Sequence, residues 1–181
     1  KEVQKEEAKF FNNIAEIRTK EGHVPMEADI RLATKFIPKK NEHLPLIDPD
    51  ISKILDGGNI EKYLDLVAHK PGGRVLDICC GSGWLSLELA RRGQIVDAYD
   101  LSPDAIALAK KTLAKNTFKK GFGSINYHVG DVSEVDLGIE KYDAVSGWAA
   151  FHHLPDPSDF IFRANKALKK GGVIATYDDL E

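Results

Sequence analysis

The spacing of hydrophobic positions changes at about residue 73. Upstream, in KEEAKFFNNIAEIRTK, Phe10, Ile14 and Ile17 recur at helical intervals with charges between them, which predicts an amphipathic helix. Residues 21–50 are rich in proline and charge (VPMEAD, FIPKKNEHLPLIDPD) and read as short helices and loops of the same domain. Ile60, Tyr63, Leu64 and Val67 mark a further helix, which Lys70-Pro71-Gly72-Gly73 stops. Downstream, short apolar runs alternate with helical patterns. Strands are expected over 74–78, 94–99, 124–129, 142–147 and 173–177, and helices over 83–92, 102–116 and 158–168. The second of these helices opens SPDA, with Ser102 as N-cap and Pro103 in the first turn. The third is closed by LKKGG.

Strands alternating with helices predict a parallel sheet covered on both faces. The expected fold class is therefore α/β, a three-layer, doubly wound, mostly parallel sheet. Residues 1–72 are expected to form a helical lid segment of that domain, and residues 73–181 its ligand-binding core. Folds of this class bind ligands beyond the carboxyl ends of their strands.

Composition narrows the partners. At 181 residues the chain suits one domain, with 43% hydrophobic and 29% charged residues. A formal net charge of -3 gives no basic field for a phosphate backbone, so no nucleic-acid partner is expected. Cys79 and Cys80 are adjacent, a poor geometry for a disulfide with each other. They lack C-x-x-C spacing and a nearby histidine, so no metal site is expected. No apolar run approaches the roughly 20 residues of a membrane span, and KEVQKEEAKFF has no signal-peptide core. The expectation is a soluble, cytoplasmic protein with no membrane partner.

The candidate chemistry lies in VLDICCGSGWLSLELA. Gly81-Ser82-Gly83 falls where the first strand becomes a helix, and there the backbone can approach a ligand and helix N–H groups are unpaired. Plain turn geometry would also use those glycines. Two acids sharpen the reading. Asp100, in VDAYD at the end of the next strand, has roughly the spacing of an acid that binds ribose hydroxyls. Asp77, at the end of the first strand, would repel the pyrophosphate of a dinucleotide and attract a ligand carrying ammonium and sulfonium groups. Ser86 also stands where a dinucleotide loop has its third glycine. A nicotinamide-dependent oxidoreductase is the disfavoured alternative.

Over residues 74–178 the chain resembles the class I S-adenosylmethionine-dependent methyltransferases. VLDICCGSG resembles the family's first motif, VDAYDLSPDAIALAKK the second, NYHVGDVSEVDL the third and YDAVSGWAAFHHLPDP the fourth. ALKKGGVIATYDD resembles the approach to the fifth strand. The resemblance implies S-adenosylmethionine as cofactor and S-adenosylhomocysteine as product. By the same resemblance Asp77 would meet the methionine amino group, directly or through water. Gly81, Ser82 and Gly83 would line methionine and ribose. Asp100 would accept from the ribose hydroxyls, with Leu101 beside the adenine. Asp131 would receive the adenine amino group and Val132 would offer its N–H to the ring. Gly147 and Trp148 would sit near the methionine end. Cys79 belongs to the same loop but stands where the family usually has a glycine. Asp131 also suits a plain turn, and Trp148 plain packing.

Methyl transfer is an in-line displacement, so much of the catalysis can come from positioning and exclusion of water. Where the acceptor must lose a proton, the candidate bases are His152 and His153 in AAFHHLPDP, because histidine titrates near neutrality. The alternative is that both are structural. The sequence after the fourth strand lacks the N/D-P-P-Y/F and Pro-Cys signatures of DNA methyltransferases, which leaves a small-molecule acceptor at oxygen, nitrogen or carbon. Phe10, Phe11 and Ile14, with the PMEAD-to-LPLID stretch, would wall the acceptor site as a lid or dock the first helix on the core. The resemblance also implies two strands beyond the fifth, so the core is expected to be C-terminally truncated, with an open edge suited to pairing with a second copy. A non-catalytic S-adenosylmethionine-binding module is the remaining alternative.

Overall fold

A computed structural model describes residues 4–6, 8–10, 12–13, 59–116 and 120–178. Phe11, Ile14, Ile17, the 21–50 stretch and residues 179–181, on which part of the lid and truncation expectations fall, lie outside the described residues. Helical residues 4–6, 8–10 and 12–13 form α1, and residues 59–67 form α2. Then follow β1 (Arg74–Ile78), α3 (Trp84–Arg91), β2 (Ile95–Asp100), α4 (Pro103–Ala114), β3 (Ser124–Val129), β4 (Tyr142–Trp148), a 3-10 turn (Phe151–His153), α5 (Pro157–Ala167) and β5 (Leu168–Tyr177).

The strands form one parallel sheet in the order β3-β2-β1-β4-β5, so the chain winds outward from β1 in both directions. Side chains of β1 alternate between two cores. Val75 joins Leu85 and Leu89 of α3, Ile106 of α4 and Leu64 and Val67 of α2. Leu76 and Ile78 point the other way, to Phe160, Ala164 and Ala167 of α5. A strand buried on both faces cannot show a simple apolar-polar alternation, which is why RVLDI reads as one run. The three-layer architecture agrees with the expectation.

Caps set the helix starts. Ser102 accepts from the Ala105 N–H at 3.0 Å, and Asp156 caps α5 by accepting from the Asp159 N–H at 2.9 Å. The LKKGG segment differs from the expectation that it closes a helix. α5 ends at Ala167, and Leu168 already pairs with Tyr142, while Val173 pairs with Ala144. The intervening residues form a bulge that keeps both ends in one ladder, with Gly171 at a φ of 76°.

The amino side of the sheet is held by saturated charges. Asp97 receives Arg74 through both nitrogen types, Asn126 at 3.0 Å and the Tyr142 hydroxyl at 3.1 Å. Asp143 receives Lys70, Lys169 and the Arg74 N–H. Burial opposes both charges, yet these donors outweigh it and hold the two carboxyls below their ordinary range, Asp143 at about 2. On the carboxyl side, the Tyr63 hydroxyl of α2 bonds Ser146, accepts from the Gly147 N–H and donates to the Ala175 carbonyl, tying α2 to β4 and β5.

Candidate functional site

Between β1 and α3 the chain turns through Cys79-Cys80-Gly81-Ser82-Gly83. Residues 79, 81 and 83 alternate into the left-handed region, with φ of 49°, 52° and 82°. Gly83 has no freedom to be anything else. Besides its φ, an added Cβ would lie 2.4 Å from the Tyr127 hydroxyl. At Gly81 the space in front of the backbone is open. Cys79 adopts the same left-handed conformation with a side chain, at a cost of about 1–2 kcal/mol.

This turn positions two acids. The Gly81 N–H donates to Asp100 Oδ2 at 2.7 Å and the Ser102 N–H to Oδ1 at 2.8 Å, so the carboxylate is fixed across the end of β2. Burial raises its pKa, and the two N–H donors and the His153 charge oppose that rise. Asp77 is only 1% exposed. Its Oδ2 accepts the Ser86 hydroxyl at 2.5 Å, and its Oδ1 is buried without a hydrogen-bond partner among the described residues. Burial pushes this carboxyl up to about 7, the negative charge of Asp100 adds to the rise, and the Ser86 hydroxyl resists it. Ser86, which entered the sequence reading only as a missing glycine, is therefore the hydroxyl that holds Asp77. A buried carboxylate oxygen without a donor is costly unless a cationic donor meets it.

Cys79, Asp100, Leu101, Asp131, Val132 and His153 come together around one cavity, and Gln4 of α1 also lines it. Its volume is about 20 Å³, room for about one water molecule. Asp131 makes the expected turn contact and one contact with α1. Its Oδ1 accepts from the Ser133 N–H at 2.8 Å to build the turn, and its Oδ2 receives the Gln4 amide at 2.5 Å. Ser82 is buried within the turn.

Gly147 and Trp148 lie apart from that cavity. The Gly147 N–H is taken by Tyr63, and an added Cβ would meet Ala150 and Ile78 at about 3 Å. Trp148 stacks on Tyr177 at 4.1 Å and meets Tyr63 and Trp84 edge-on at 5.1 and 5.4 Å. These rings form an aromatic group at the carboxyl ends of β4 and β5.

The histidine pair divides. His153 lines the cavity, whereas His152, with its side chain 50% exposed, places Nδ1 2.9 Å from Asp178 Oδ1. The two rings lie 3.9 Å apart. Asp178 also accepts the Phe151 N–H at 3.1 Å and the Thr176 hydroxyl, and these bonds hold its carboxyl below the ordinary range despite burial. Asp178 was missed by sequence reasoning. Its partner lies 26 residues away and meets it only because β5 pairs beside β4. The dipeptide Tyr177-Asp178 at the fifth strand's end was the one available signal.

Among the described residues, no group of three His, Cys, Asp or Glu side chains is placed to hold a metal, and no helix is long and apolar enough to cross a membrane.

Comparison with known proteins adds to this geometry. The model of a methyltransferase domain family matches residues 75–172. The ubiquinone biosynthesis O-methyltransferase of Xanthomonas campestris is 36% identical over 117 residues, covering 61% of this chain and 46% of that protein. A solved S-adenosylmethionine-dependent methyltransferase from Methanosarcina mazei is 29% identical with a TM-score of 0.51, covering 61% of this chain and 52% of that one. An S-adenosylmethionine-dependent methyltransferase from Thiobacillus denitrificans, solved with S-adenosyl-L-homocysteine, shares the fold at 22% identity and a TM-score of 0.53, covering 66% of this chain and 47% of that one. The chain thus spans about half the length of the curated relatives it matches.

Proposed function

Because the chain belongs to the methyltransferase domain family, the class I S-adenosylmethionine-dependent enzymes, we propose that it methylates a hydroxyl oxygen of a small aromatic molecule. The observation that carries the cofactor side is Asp77, a buried carboxylate with one oxygen unpartnered among the described residues, beside the carboxylate of Asp100. An ammonium group satisfies such an oxygen, and a pyrophosphate would be repelled by it. The residues present fit S-adenosylmethionine. Asp77 would hold the amino group, Asp100 the ribose hydroxyls across the open space at Gly81, and Asp131 the adenine amino group. Leu101 and Val132 would flank the ring. When bound, S-adenosylmethionine supplies an activated methyl group on a sulfonium with a neutral leaving group.

The remaining work belongs to this chain. The Asp178 carboxylate accepts from Nδ1–H of His152, which fixes the tautomer and leaves the Nε2 lone pair to take a hydroxyl proton. Trp148 and Tyr177, stacked on each other near that dyad in the chain, would supply an aromatic wall for a flat acceptor. The name of the Xanthomonas campestris relative, an O-methyltransferase, supports oxygen as the accepting atom.

The test is a calorimetric titration with S-adenosylhomocysteine and NAD in parallel, followed by transfer assays on a panel of phenols, amines and thiols. Binding of S-adenosylhomocysteine alone, and methylation of phenols lost in His152→Ala, is the expected result. Binding of NAD alone would overturn the cofactor reading. Tight cofactor binding with no product across the panel would instead favour a non-catalytic module.

A further inference from the structure

Of the two oxygens of Asp131, one is already committed. Oδ1 accepts the Ser133 N–H, and Oδ2 is the oxygen left for a ligand. In this structure a side chain 127 residues away takes it. The Gln4 carboxamide nitrogen donates to Oδ2 at 2.5 Å, and Gln4 lines the same cavity as Asp100, Leu101 and Val132. A carboxamide NH₂ and the exocyclic NH₂ of adenine are alike, since both are flat sp² nitrogens presenting two donors. With Gln4 in place the cavity measures about 20 Å³, enough for one water and not for a purine.

A second contact anchors the same helix on the other side. The Ser102 hydroxyl, whose lone pair caps α4, donates its proton to Asn12. Gln4 and Asn12 are eight residues apart, about 12 Å along a helix. One attachment is at the end of β3 and the other just past Asp100 at the end of β2, so α1 spans the space between the two adenosine-recognising acids.

We propose that α1 is an internal competitor for the adenosine site, with the Gln4 carboxamide standing in for the adenine amino group on Asp131. The proposal rests on assigning that cavity to adenosine. Cofactor binding must displace Gln4, so α1 leaves its closed position as the ligand enters, and the affinity measured for the whole chain is reduced by the fraction of time the helix is shut. Its release also frees Asn12 and opens the carboxyl face of the sheet to an acceptor. The order of events is therefore built into one side chain: adenosine first, acceptor afterwards.

The experiment combines calorimetry with hydrogen exchange on the full chain. Gln4→Ala and Gln4→Glu are titrated with S-adenosylhomocysteine beside the parent, and amide exchange is followed over residues 4–13. The expected result is binding about 5–20-fold tighter in both variants. Exchange over 4–13 should rise when the parent is saturated, and should already be fast in Gln4→Glu without ligand, because its carboxylate faces that of Asp131. Unchanged or weaker binding in both variants, with exchange over 4–13 slowed by ligand, would overturn the proposal and make α1 a clamp on the bound cofactor. No binding in the parent or either variant, with exchange still fast in Gln4→Glu, would mean that the helix closes a cavity that is not for adenosine. That outcome removes the cofactor reading and the proposal together, and is distinct from the first.

Discussion

Two pairs of aspartates sit on one sheet and are treated in opposite ways. Asp97 and Asp143, toward the amino side, are surrounded by Arg74, Lys70, Lys141 and Lys169 and lie below the ordinary carboxyl range. Asp77 and Asp100, at the carboxyl ends of β1 and β2, are raised by burial. The first pair is complete within the chain and serves the fold. The second is unequal: among the described residues Asp77 keeps one buried oxygen without a partner, whereas Asp100 receives one backbone N–H on each oxygen. The contrast motivates the ligand assignment proposed for Asp77.

Breaking the complete pair should have the largest effect, and on stability alone. Asp97→Ala leaves the Tyr142 hydroxyl, Asn126 and Arg74 without their acceptor and is expected to cost about 3–5 kcal/mol, read by chemical denaturation. Affinity for S-adenosylhomocysteine, measured on the fraction that remains folded, should barely move. Asp77→Asn reverses that profile. In the folded chain the Asp77 carboxyl keeps its proton up to about pH 7, whereas unfolded it loses the proton near 3.8. Between those values the folded state binds more protons, so the parent loses stability as pH rises from 4 to 7. Asparagine removes that loss, and the variant should be more stable than the parent at pH 8 by roughly 2–4 kcal/mol while binding the ligand more weakly. A variant less stable than the parent at pH 8 would show that the Asp77 charge is already compensated.

Asp100→Ala tests the other acid on the carboxyl side. Loss of charged hydrogen bonds is expected to weaken S-adenosylhomocysteine binding by about 1–3 kcal/mol, and unchanged affinity would remove the ribose assignment. The smallest effect is expected at Cys79. Glycine relieves its left-handed backbone there, and Cys79→Gly should gain up to about 1 kcal/mol in thermal unfolding with the site intact. A loss of stability would place the value of that side chain in its packing against the Ala150 side of the turn.

Much of this was legible in the sequence, because the signals were local. Strand and helix positions follow from period and caps, and the ends fall within a residue or two for most elements. The charge of Asp77 at the end of an apolar strand is a local signal for a cationic ligand. What escaped depends on residues brought together from afar. The Gly171 bulge reads locally as a helix stop, and only pairing with Tyr142 and Ala144 reveals the continuous strand. The Asp178–His152 pair requires β4 beside β5. Tyr63 reads as one apolar position of a helix, and its hydroxyl's three partners lie 83 or more residues along the chain. The Gln4–Asp131 contact joins the chain's first helix to its third strand's end and has no signature in either segment.

The most direct test of the incomplete-acid account is calorimetry with S-adenosylhomocysteine at pH 6 and pH 8, in buffers of different ionisation enthalpy. If Asp77 meets the ligand's ammonium as a carboxylate, binding at pH 6 must release close to one proton, and affinity must rise toward pH 8. Asp77→Asn must abolish both effects. Binding that releases no proton and is equally tight at the two pH values would contradict the account.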